Sequence, residues 1–258
     1  MNSKPQGPNG AILAARYAFM PNKLRYCGGD SNNEVFNYVA EDYSDGGLNE
    51  LLEEFATMFP YLRLIADSSR IPDPLDARVV EAYWIGNDLL KNVDMKNFYR
   101  YMVDEQELKK KFKPKLLEKV FGKIPLGAKP HHSWHVFNIP KRTGHYPVEH
   151  TIETMDKCRI GWGKIKEIKN ESSSLVSKVV VEYEPLEVVN DVVVLGKMVD
   201  REVWAGFDGK SFIKKPQKGD LVSIHWDFIC DLLTEDQVAN LRKWTKYNLA
   251  LANTNSIK

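Results

Sequence analysis

The chain has 258 residues, 43% hydrophobic and 28% charged, enough for a sizeable core in one large domain or two small ones. Its 36 basic and 35 acidic side chains leave a formal charge of +1, without the basic excess of a phosphate-backbone binder, so nucleic acid is excluded as a default partner. Cys27, Cys158 and Cys230 are far apart with no CxxC spacing, which argues against a disulfide framework and for a reducing cytoplasm. No apolar run reaches the roughly 18 residues of a membrane span, and the N-terminus lacks the apolar stretch of a signal peptide.

Residues 1–9 are polar with two prolines and read as a loose arm. GAILAARYAF predicts a short helix over residues 10–19, followed by turn punctuation at Gly28, Gly29 and Asp30. An amphipathic helix is expected over 33–43. Another is expected over 48–59, with Leu48, Leu51, Leu52, Phe55 and Phe59 on one face and Pro60 interrupting it or starting its continuation. Six acidic residues and no basic one lie between Glu41 and Glu54, read as a solvated face. Residues 76–93 predict one helix, on which Glu81 and Asp88 flank Trp84 as an acid/base pair or, the preferred reading, a surface stripe. Two more helices are expected over 95–103 and 105–121. The second carries a lysine run (Lys109, Lys110, Lys111, Lys113, Lys115, Lys119, Lys123) that docks on the acidic segment or a partner, or is simply solvated.

Five of the six histidines fall between Pro130 and Cys158: His131, His132, His135, His145 and His150. The sixth, His225, lies in the aromatic knot HWDFIC. Prolines 130, 140 and 147 break the segment, and VFNIP favours an extended reading of HHSWHVFNI over a helix started by Pro130. From Cys158 the periodicity turns to alternation. CRIGWGKIKEIK, SLVSKVVVEYEPLEVV, VVVLGKMV, REVWAGF and GDLVSIHW read as strands, with turns at NESSS and Asp208-Gly209. Thr234 with Gln237 forms a capping-box pattern that opens a closing helix, buried along Val238, Leu241, Trp244, Thr245 and Leu249. The fold class is therefore α+β: a helical part over 10–125, a histidine-rich connector over 126–157, and a small antiparallel β-barrel with a C-terminal helix over 158–252, sharing an interface.

Neutral imidazole is a common ligand for zinc, nickel and iron, and three histidines within five residues make one bound transition metal ion the leading hypothesis. His131, His132 and His135 are the first candidate ligands. His145, His150, Cys158 and His225 can complete the shell, with Glu149, Glu153 or Asp227 orienting them. No HExxH, zinc-finger, phosphate-loop or nucleophile-elbow motif accompanies them. Cys158 can also be read as a thiolate nucleophile beside Arg159, or as a buried inert thiol, the preferred reading. The competing class is a metal-free interaction or scaffold protein with hydrogen-bonded histidines and a protein partner gripped by Trp162, Trp204 or Trp226.

ARYAFMPNKLRYCGGD, PHHSWHVFN and GDLVSIHWDFICDLLTEDQVANLRKWT together resemble a family of functionally uncharacterised bacterial and archaeal proteins, some associated with nickel–iron hydrogenase gene clusters. The resemblance runs from Ala15 to Thr245. It implies that the three stretches converge in space and points to a cytoplasmic accessory role in metal-centre assembly.

Overall fold

The computed structural model describes residues 9–105, 108–140, 145–169, 177–207, 209–213 and 215–254, without the side chains of Lys109 and Lys111. Most of the expected N-terminal arm, the NESSS turn and Asp208 lie outside the described residues.

The fold is α+β, with a helical N-terminal part, a closed barrel and a C-terminal helix. Helix α1 (Gly10–Lys23) is buried on almost every side and carries Pro21 in its last turn. Around it lie α2 (Asn32–Glu41), α3 (Gly46–Glu53), α4 (Met58–Ser69) and α5 (Ala77–Trp84). The helix expected over 48–59 is broken before Pro60, because the proline sits in the first turn of α4, where its missing N–H costs little. The helix expected over 76–93 also ends early. Gly86 has φ +94, and a Cβ there would fall 2.0 Å from the Trp244 ring, so the chain turns against the C-terminal helix and resumes as a 3₁₀ turn over Asp88–Asn92. Helices α6 (Met95–Asp104), α7 (Leu108–Lys111) and α8 (Pro114–Phe121) complete the lobe, with Pro114 dividing the expected 105–121 helix.

The connector corrects the sequence reading most. HHSWHVFN is not extended but forms α9 (His132–Asn138). His131 is its N-cap, with Nδ1 accepting the Ser133 N–H at 3.1 Å. Pro140 restrains only the preceding residue, so Ile139 alone is extended and the helix stops at Asn138. Helix α10 (Ile152–Cys158), opened by a Thr151/Thr154 capping box, carries the chain to the barrel.

The barrel has the order β1-β2-β5-β7-β6, from β1 (Gly161–Lys169), β2 (Ser177–Tyr183), β5 (Val199–Gly206), β6 (Leu221–His225) and β7 (Phe228–Leu232). Its pairings are antiparallel except the parallel contact of β5 with β7 that closes it. Glu184 and Pro185 split the long predicted strand, and β3 (Leu186–Val189) leaves to pair with β4 (Val192–Leu195) in a separate hairpin. Strand β7 was not expected. It follows β6 through a two-residue turn in which Trp226 and Asp227 have φ of 52° and 59°, the left-handed pair that tight hairpins require.

Ile165, Val179, Val181, Val203, Val222 and Ile229 fill the barrel interior. The larger core joins the helices to the barrel through Trp162, Phe228 and Cys230 and takes in Leu186 of the β3–β4 hairpin. Helix α11 (Glu235–Asn253) buries Leu241, Trp244, Thr245 and Leu249, with Val238 half-buried, and is opened by the predicted capping box. Thr234 Oγ1 accepts from Gln237 N at 3.2 Å, and Gln237 Oε1 accepts from Thr234 N at 2.9 Å. Thr234→Ala is expected to lower stability by about 1 kcal/mol in urea denaturation, the usual loss when a side-chain cap is removed.

Candidate metal centre

The six histidines do not converge as one shell. His145 lies at the surface with Nε2 3.0 Å from Asp30 Oδ1. His150 donates Nε2–H to Val136 O at 2.9 Å, tying the connector to α9. His131 turns towards α11, where it stacks on Trp244 and its Nδ1 accepts from the Ser133 hydroxyl at 2.8 Å. His135 Nδ1 lies 3.4 Å from the Tyr61 hydroxyl. The expected ligand set His131, His132 and His135 therefore does not converge on one point: the His131 ring stacks on Trp244, and although His132 and His135 line one cavity, only His132 lies within ligand range of Cys158 and His225.

His132 and His225 do come together, and Cys158 joins them. One ligand atom from each lies within 4.8 Å of the others, and all three residues are buried. The donors come from the first turn of α9, the last residue of α10 and the end of β6. Their convergence has a local cause. The β6–β7 turn donates Trp226 N–H to Lys157 O at 2.7 Å, which seats the end of β6 against the last turn of α10. Trp84 packs against both imidazoles, with ring centroids 4.5 Å from His132 and 5.6 Å from His225.

Hydrogen bonds fix the tautomers. His132 donates Nε2–H to Cys158 O at 2.8 Å, so Nδ1 carries the lone pair, here accepting from the Tyr83 hydroxyl at 3.2 Å. His225 donates Nδ1–H to Tyr17 O at 2.7 Å, so Nε2 carries its lone pair. Burial, reinforced by the neighbouring His225, holds the His132 pKa well below the ordinary histidine value. A neutral imidazole with its remaining N–H donated to a backbone carbonyl is the form in which histidine binds metals. Two of the carboxylates expected to orient the ligands are engaged elsewhere. Asp227 pairs with Arg201 at 2.7 Å and Glu153 with Lys157 at 2.8 Å. Nor do Glu81 and Asp88 form an acid/base pair, since Glu81 holds Gln237 and Asn87 while Asp88 holds Lys91 at the surface.

A cavity of about 30 Å³ adjoins the three donors. Its lining includes Cys27 and Gly28 of the early loop, His132 and His135 of α9, and His225 of β6, so the three stretches that carry the resemblance meet there. Asn22 anchors that loop by donating Nδ2–H to Cys27 O at 3.0 Å and Gly29 O at 2.7 Å. Gly28, at φ +80, lies so close to Phe55 that a Cβ would fall 2.6 Å from the ring.

The position of Cys158 is set by a buried polar network. Asp156 Oδ1 accepts from Arg159 Nε at 3.0 Å, Tyr183 Oη at 2.9 Å and Leu186 N at 3.0 Å, and Oδ2 pairs with Arg201 at 2.8 Å. Arg159 is fully buried, lies over the Trp162 and Tyr183 rings, and donates to Glu184 O. The tryptophans proposed as an exposed grip are placed otherwise: Trp162 and Trp226 are buried, and half-buried Trp204 lies under Lys178.

A helical lobe joined to a small closed barrel, with a buried two-histidine, one-cysteine cluster at the junction, defines the class of protein. The chain belongs to a family of unknown function, DUF6390, whose profile matches residues 6–258. No curated protein and no solved structure matches it. Among the described residues no helix is long and apolar enough to cross a membrane.

Proposed function

We propose that this protein binds one transition metal ion through His132, His225 and Cys158, as a metal-dependent accessory protein or a metalloenzyme. The carrying observation is the joint state of the three donors: two buried imidazoles, each oriented by an N–H bond to a backbone carbonyl, and a buried thiol, all within mutual ligand range. Two nitrogens and one sulfur suit zinc first, and nickel and iron next. Binding draws His132 Nδ1 away from the Tyr83 hydroxyl and converts the Cys158 thiol to thiolate with release of its proton. Three cysteines without a disulfide fit the reducing cytoplasm expected from the sequence. The family resemblance extends the reading to a role in assembling a metal centre on a protein partner.

The test is elemental analysis by mass spectrometry on untagged protein. Wild type is expected to hold one ion per chain. Cys158→Ser and His225→Gln are expected to lower metal affinity by at least about 10-fold, while His145→Ala retains it. A wild-type chain that stays metal-free after exposure to zinc, nickel and iron sinks the reading. That outcome would favour a metal-free polar junction between lobe and barrel, a second reading supported by His132, whose two ring nitrogens are both engaged in this structure.

A further inference from the structure

We propose that the His132/His225/Cys158 centre keeps a fourth position for a small exogenous monoanion, bound in the adjoining cavity and hydrogen-bonded by Tyr83. The inference rests on the metal reading above. Among the described residues the ligand group has three members, and although Cys27 and His135 line the same cavity, neither belongs to it. Three protein ligands beside a cavity is the arrangement of a centre with an exchangeable position, whereas a structural site closes all four with side chains.

The size of the space selects the ligand. A cavity of about 30 Å³ admits a water or a species of about one to three heavy atoms, and nothing of metabolite size. Charge selects it further. A divalent ion with two neutral imidazoles and one thiolate carries a net positive charge, and the rest of the cavity wall is mostly apolar, with Ala18, Pro21, Phe55, Met58 and Trp84 facing it. Among the described residues no carboxylate lines the cavity, and Asp156, close to Cys158 in sequence, is consumed by Arg159 and Arg201. A monoanion replacing a bound water neutralises the centre without further protein charge, which the low-dielectric surroundings favour. Tyr83 supplies the donor. Tyr83 lines the cavity and its hydroxyl lies 3.2 Å from His132 Nδ1, so when that nitrogen turns to the ion the O–H can turn to the incoming anion. Hydroxide, hydrosulfide and azide share this chemistry, and azide is the probe.

Cobalt(II) is loaded into the full chain. A near-ultraviolet thiolate-to-cobalt band reports metal at Cys158, and the visible bands report the remaining coordination. Azide is expected to shift the visible bands saturably at one equivalent per chain. Tyr83→Phe is expected to keep the thiolate band and bind azide about tenfold more weakly, as for loss of a hydrogen bond to a charged ligand. Ala18→Leu, which fills the cavity, is expected to abolish the azide response with the thiolate band retained. Should it misfold, the Tyr83 comparison still decides. A thiolate band with azide-insensitive visible bands overturns the open position and leaves the metal reading standing. Unchanged azide affinity in Tyr83→Phe or in folded Ala18→Leu overturns the assigned cavity. Failure of cobalt to bind at all defeats both readings.

Discussion

Replacing Asp156 with alanine is expected to destabilise the protein by about 3–5 kcal/mol, the usual loss when one partner of a buried ion pair is removed. The carboxylate gathers two guanidinium groups, a tyrosine hydroxyl and a backbone N–H from four places in the chain. Without it Arg159 keeps its charge in a fully buried position, with the Glu184 carbonyl and two aromatic faces as its remaining partners. An exposed ion pair would contribute under about 1 kcal/mol, so urea denaturation separates the cases by a wide margin. The network also links β2, β3 and β5 to the last turn of α10, and Cys158 ends that turn. Metal retention is therefore expected to weaken in Asp156→Ala even under conditions where the chain stays folded. A variant of wild-type stability would show that the turn is held by packing alone.

The same region shows how far the sequence could be read. Alternation after Cys158 and the capping box at Thr234 are local signals, and the barrel and closing helix follow from them. Strand β7 escaped because Trp226 and Asp227 adopt left-handed conformations that sequence assigns to Asn-Gly or Asp-Gly pairs. The histidine helix escaped because HHSWHVFN has no polar face: every residue of α9 is buried, so neither helical nor strand periodicity appears. A capping role for His131 was equally invisible, since histidine is not a usual N-cap residue. Histidine clustering named six candidate ligands, and of these the structure brings His132 and His225 into ligand range with Cys158. His225, 93 positions from His132 in the chain, meets it only through the barrel and its unrecognised hairpin. Sequence offers Cys158 both as a ligand and as an inert thiol, and what places it within ligand range of the two imidazoles is tertiary packing, which no spacing rule carries.

Acid is expected to unfold the metal-free chain through its buried histidines, and His131 supplies the measurable part. Burial pushes its pKa down to about 3, from an ordinary value of 6.5. The folded value is the lower one, so below pH 6.5 the unfolded chain binds more protons. Stability fully present above that pH is lost as pH falls towards 3. By about pH 5 this single group accounts for about 2 kcal/mol of loss. His132 acts in the same direction, also because burial disfavours its charged form. Asp231 acts oppositely: burial raises its pKa, so its protonation relieves a buried charge, an effect completed only as pH falls through its unfolded value of 3.8. The exposed Glu202, lowered to about 2 by Lys169 and Lys178, contributes only below its ordinary value of 4.5. Asp231 is common to wild type and to a His131 variant, so the difference between the two from pH 6.5 to about 5 reports His131. His131→Asn isolates the term, because asparagine is a favoured N-cap and can accept the Ser133 N–H without titrating. The variant loses the Trp244 stack, so its stability at pH 7 is expected to fall somewhat, but its further loss between pH 7 and 5 should be smaller than that of wild type by about 2 kcal/mol. Identical pH slopes in the two proteins would mean that His131 opens to solvent and protonates without unfolding the chain.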